Sequence, residues 1–112
     1  MANLKQSMDK LAELDGFVGT CVVDSNSGMM LGSLGGGPSM NLEVAAAGNT
    51  EVVRAKRKTM TSLALKDQIE DILITLGKQY HLIRPLEQKD GLFAYLVLDR
   101  TKANLAMSRH KL

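Results

Sequence analysis

The 112-residue sequence has no tryptophan and one cysteine. A lone thiol, Cys21, cannot close an internal disulfide, so the fold must hold by packing, and a reducing, cytoplasmic setting fits best. The amino terminus, MANLKQSMDK, offers no apolar signal region. Long apolar runs are also missing. The longest, Leu92 to Leu98, falls far short of the roughly 18 residues that a membrane-spanning helix needs, and no membrane insertion is expected. Charge of one sign is scarce: a formal net charge of +2 is too weak for a dedicated nucleic-acid binder, and no nucleic-acid partner is expected.

What is present, 45% hydrophobic and 23% charged residues, is the composition of one ordinary globular domain with one core. Leu4, Met8 and Leu11 share one helical face and predict a helix from about Asn3 to Leu14, capped at Asn3 and stopped by Asp15-Gly16. Phe17 to Asp24 has apolar residues on both parities and predicts a strand covered on both faces. The turn cluster Asp24 to Gly28 then leads into a second strand, Met29 to Leu34, ended by Gly35-Gly36-Gly37-Pro38. Helical spacing returns from Ser39 or Asn41 to about Leu65, with Leu42, Ala45, Ala46, Val52, Val53, Met60 and Leu63 as the apolar stripe.

Gly48 lies inside this long helix, where glycine costs about 1 kcal/mol relative to alanine. The small residues around it would let a second helix approach closely, or they merely fit a crowded sheet. Ile69 to Leu76, Gln79 to Leu86 and Leu92 to Asp99 predict an antiparallel meander, with Asp90-Gly91 in its last turn, and Thr101 to Leu112 closes the chain as a helix. The fold class is therefore α/β of the α+β type: a five-stranded antiparallel sheet with helices on both faces, in the order α-β-β-α-β-β-β-α. Ile72-Leu73-Ile74 on an open edge would invite aggregation unless paired or covered, and pairing between two copies would remove the hazard.

Candidate chemistry is sparse. The glycine-rich Gly35 to Ser39 lacks the arrangement of a phosphate-binding loop, and Pro38 has no amide hydrogen to donate, so a plain connector is preferred. His81 and His110 have no cysteine or carboxylate at a metal-ligand spacing. His81 is expected to pack in or beside the sheet, and His110, with Arg109 and Lys111, to sit at the negative end of the last helix. Cys21 reads as a buried small hydrophobe, and Glu70-Asp71 as the start of the edge strand. Seven methionines read mainly as core filling. No catalytic set, metal or cofactor is expected. The dense basic run Arg54, Lys56, Arg57 and Lys58 is first a solvated face; Arg54, Arg57 and Lys58 are its candidates for recognising an acidic partner.

Several stretches in order resemble the Roadblock family: Leu11 to Gly19, Val22 to Gly28, Glu43 to Ala47, Ile72 to Gly77, Tyr80 to Leu86, Leu96 to Arg100 and Ala103 to Ala106. The resemblance spans nearly the whole chain and implies a single Roadblock/profilin-like domain over residues 1–112. It implies a dimer joined by the long helices and the third strands, here Ala45, Gly48, Val52 and Lys56 with Ile72, Leu73, Ile74 and Leu76. It also implies a non-catalytic regulator or scaffold whose partner is a small Ras-like GTPase. The chain ends at Leu112, without the carboxy-terminal extension of the gliding-motility GTPase regulators, so GTPase activation is not implied. The alternative is a small-ligand sensor with a pocket between sheet and helices.

Overall fold

The computed structural model describes residues 4–38, 40–86 and 91–112; the expected cap Asn3, the helix start at Ser39 and the turn residue Asp90 lie outside them. The elements follow the expected order: α1 (Leu4–Ala12), β1 (Phe17–Asp24), β2 (Met29–Gly35), α2 (Leu42–Ser62), β3 (Ile72–Thr75), β4 (Gln79–Pro85), β5 (Leu92–Asp99) and α3 (Leu105–Lys111). All pairings are antiparallel, and the five strands lie in the order β2-β1-β5-β4-β3.

The central strands β1 and β5 are buried on both faces, which is why their apolar residues fall on both parities. On one face Cys21, Val23, Phe93, Tyr95, Val97 and Ile83 pack with Leu42, Ala46 and Val53 of α2. On the other, Leu82, Leu96 and Leu98 pack with Leu11 of α1 and with Leu105 and Leu112 from the C-terminal segment. Alternation along β5 sorts the two sets, because successive side chains point to opposite faces. At the end of β2, Gly35 (φ +79°) passes so close to β1 that a Cβ there would lie 2.6 Å from the Val18 carbonyl oxygen, so only glycine fits.

Element ends differ from the sequence reading for local reasons. The long helix stops at Ser62 instead of Leu65. Ala64, at φ +55°, takes the left-handed position usually given to glycine, and the Leu65 and Ala64 amides donate back to the Met60 and Thr61 carbonyls. In the buried stripe of α2 Thr50 takes a place, its hydroxyl donating to the Ala46 carbonyl, whereas Val52 and Leu63 face outward. The closing helix begins at Leu105, not Thr101, because Asn104 caps it by accepting from the Met107 amide. Thr101 is spent on the preceding turn: its amide and hydroxyl both donate to Asp99, holding that carboxyl below its ordinary range.

Most correction is needed at β3. It covers only Ile72–Thr75, so Glu70-Asp71 does not begin the edge strand. Asp71 turns inward and accepts from Arg84 of β4 (3.2 Å) and from both Nε and Nη2 of Arg109 in α3 (3.0 and 3.1 Å). Arg109 is thus committed to an ion pair and not to the carbonyl end of its own helix. Methionine has a mixed role: Met8 is buried and Met30 and Met40 pack on the core, but Met29 and Met107 are exposed.

Candidate partner-binding surface

Ala45, Asn49, Val52 and Lys56 recur at intervals of four, three and four residues, which makes one stripe along α2. This stripe lies on the flank of the helix. Ala45 packs on the core, Val52 and Lys56 are exposed, and Gly48 beside them is exposed, with nothing within 4 Å of the place where a Cβ would stand. Among the described residues, no packing therefore requires glycine at position 48.

Helix α2 lies across β1 and β2, at one side of the sheet. The same face of β4 and β3 is less covered: Ile72 pairs with Ile83 and Ile74 with His81, and Ile72, Ile74 and His81 are only half-buried. They form an apolar shelf between the α2 flank and the sheet margin. Leu73 (36% exposed) and Leu76 (43%) continue apolar surface along the margin. Among the described residues strand β3 pairs with β4 alone, so its outer row of backbone amides and carbonyls has no strand beside it there.

A polar chain floors the shelf, and the sequence reading missed most of it. The Tyr95 hydroxyl lies 2.8 Å from Nδ1 of His81, and the Nε2 of His81 lies 2.9 Å from Oε1 of Gln79. Asn49, from the middle of the α2 stripe, approaches Tyr95 closely enough to oppose part of the rise in its pKa. His81 and Tyr95 meet edge to face, with ring centroids 5.6 Å apart. Burial lowers the His81 pKa and raises that of Tyr95. The missed signal was a polar Asn49 between the apolar Ala45 and Val52 of the stripe.

The basic run separates on folding. Arg54 leaves the stripe on the other flank, where its guanidinium donates to the Asn26 carbonyl (2.8 Å) and ties α2 to the β1–β2 turn. Lys56 and Lys58 are exposed, and Arg57 lines a groove of about 380 Å³ with Met60, Leu65, Ile69, Pro85 and Leu86. At the other end of α2, the Asn41 side chain already accepts from the Glu43 and Val44 amides, so the chain itself fills the helix terminus after the glycine-rich connector. Arg100 closes the β3–β4 hairpin by donating to the Leu76 carbonyl (3.0 Å) and lying over the Tyr80 ring.

Cys21 is fully buried opposite Tyr95, and burial pushes its thiol up to about 12. Because the thiolate is the reactive form, iodoacetamide at about pH 8 should leave the native protein unmodified and label it once urea unfolds it, as intact mass will show. Among the described residues, no group of three His, Cys, Asp or Glu side chains could hold a metal ion, and no helix is long and apolar enough to cross a membrane.

The layered sheet with α2 on one face and α1 and α3 on the other is the Roadblock/LC7 fold. The Roadblock/LC7 domain from Streptomyces avermitilis superposes with a TM-score of 0.82 at 12% identity, over 98% of this chain and 88% of that one. Myxococcus xanthus MglB gives 0.82 at 14% identity, over 99% and 88%. The gliding protein MglB from Thermus thermophilus gives 0.79 at 14% identity, over 96% and 78%. No family model matches the sequence, and no curated protein does.

Proposed function

We propose that residues 1–112 are one Roadblock-type domain acting in the cytoplasm as a non-catalytic regulatory or scaffold module. It pairs with itself along the α2 flank (Ala45, Gly48, Val52, Lys56) and the β3 margin (Ile72, Leu73, Ile74, Leu76). The pair then docks a small Ras-like GTPase or a related signalling protein, with Arg57 and Lys58 meeting acidic side chains and Arg54 bracing the helix that carries them. One observation carries the pairing: a mid-helix glycine with open space around it stands beside an apolar shelf and an unpaired strand edge. A second copy of α2 laid on the shelf would give Gly48 a reason, and β3 against β3 would continue the sheet across both copies.

The GTPase reading draws on the resemblance of the sequence stretches and is supported by the similarity in fold to MglB. Light scattering after size exclusion at micromolar concentration should return twice the chain mass. The protein should retain a purified Ras-like GTPase in one nucleotide state more than in the other. A strictly monomeric protein would sink the pairing, and equal failure with GTP-analogue and GDP forms would sink the docking. The groove beside Arg57, lined by Met60 of α2, Leu65 and Ile69 of the following loop and Pro85 of β4, favours a second reading, a small-ligand sensor.

A further inference from the structure

The polar chain Tyr95–His81–Gln79, with Asn49 beside Tyr95, lies between the two halves of the proposed seam, where every other shelf residue is apolar or small. We propose that proton uptake by His81 controls self-association: the pair forms on the neutral imidazole, and mild acid opens it. This deepens the pairing reading above and rests on it.

Geometry defines which form of His81 the site accepts. Oε1 of Gln79 can only accept, so Nε2 of His81 carries the hydrogen and donates it. Nδ1 is then a bare acceptor, and the Tyr95 hydroxyl donates to it. Asn49 approaches the same hydroxyl and acts to lower the tyrosine pKa against the larger effect of burial. All groups in the chain are thus matched when His81 is neutral. A proton on Nδ1 would set two donors against each other across 2.8 Å, and the Tyr95 hydrogen would have to leave its acceptor in a residue only 1% exposed.

Other titratable groups cannot substitute in this range. Facing His81 are Tyr95 from β5 and, one strand beyond, Cys21 from β1; both stay protonated, since burial raises the first and pushes the second to about 12. Neutral Gln79 faces it from β4 itself and apolar Ile74 from β3, while neutral Asn49 of α2 stands beside its partner Tyr95. Exposed Lys56 lies further along the same α2 stripe, about two helical turns beyond Asn49. His81 is half-buried in the single chain, and burial already lowers its pKa from 6.5. A second copy covering the shelf removes the remaining water and disfavours the imidazolium further.

The sign follows from linkage. Separate chains bind more protons than the pair, so the pair is favoured while His81 is neutral and is lost as pH falls through the His81 pKa of the separate chain, which burial already holds below 6.5. Each copy contributes one His81, so the logarithm of Kd gains a slope approaching about two per pH unit.

The test is Kd of the full chain, measured by sedimentation velocity at about pH 7.5 and about pH 5.5, where pairing should weaken by roughly tenfold or more. His81→Gln keeps a polar side chain that does not titrate, and should pair with less than about threefold change over the same range. Tyr95→Phe removes the hydroxyl that demands a bare Nδ1 and should also reduce the response, with circular dichroism verifying the fold. A flat wild-type profile, or a His81→Gln profile as steep as the wild type, overturns proton control while leaving the pairing intact. A monomer at every pH overturns the pairing and the switch together.

Discussion

Gly48→Arg should yield a folded monomer. In the isolated chain the position is exposed and a Cβ meets nothing within 4 Å, so the larger side chain clashes with no described neighbour. Replacing glycine inside a helix should even favour the single chain, by up to about 1 kcal/mol. In the proposed pair the same side chain would stand where two helices approach most closely. With a twofold axis beside Val52, residue 48 of one copy faces Lys56 of the other, so bulk and like charge act together. The expected loss of pairing is at least roughly 100-fold in Kd, the scale of a central interface position. Light scattering should read the single-chain mass, with helical circular dichroism retained and thermal stability at low concentration no lower than wild type. Unchanged mass would show that the seam lies elsewhere. Ile72→Asp is a poorer probe, since Ile72 packs on the core and its replacement would damage the fold as well as the seam.

The sequence made the sheet legible for a physical reason: period-two patterns and turn clusters are local, and a strand with apolar residues on both parities must be covered twice. Phe17–Asp24 and Leu92–Asp99 are accordingly the neighbouring central strands. Ile72-Leu73-Ile74 was legible as an edge because a meander of short hairpins leaves its first strand outside. Helix ends were less so. Ala64 performs a glycine's task in the turn after α2, and nothing about an alanine announces that. Asp71 was read as part of β3 because its two arginines lie 13 and 38 residues away, beyond any local pattern. The seam residues Ala45, Gly48, Val52 and Lys56 came from the resemblance to the Roadblock family. That Asn49 and His81 converge on Tyr95 was not legible, since it depends on where α2 crosses the sheet. Arg54 shows the reverse limit: its charge was visible in the sequence, but not its attachment to the Asn26 carbonyl.

Asp71→Ala should cost the most stability of any substitution at a charged position considered for this chain. Its side chain is 9% exposed and accepts from two guanidinium groups, Arg84 at 25% exposure and Arg109 at 44%. Nε of Arg84 is buried and has no hydrogen-bond partner among the described residues, so that arginine depends heavily on Asp71. Breaking a fully buried pair costs about 3–5 kcal/mol because a buried charge is left uncompensated; water reaching both arginines reduces this to about 2 kcal/mol. A melting temperature lower by roughly 10 °C follows for a domain of this size, measured at fixed concentration because pairing would add to stability. Arg109→Met should cost less, under about 1 kcal/mol, since that side chain is the more exposed. Its effect should be local. Helix α3 has only seven residues, too few to persist alone, and it is held by Leu105 and Leu112 on the core and by this ion pair. Hydrogen exchange in Arg109→Met should therefore accelerate in α3 and leave β4 and β5 protected, whereas Asp71→Ala should lower protection across the sheet because Arg84 belongs to it. Equal stability losses for the two variants would mean that Arg84 contributes nothing, and the cluster would then be a surface tether for α3 alone.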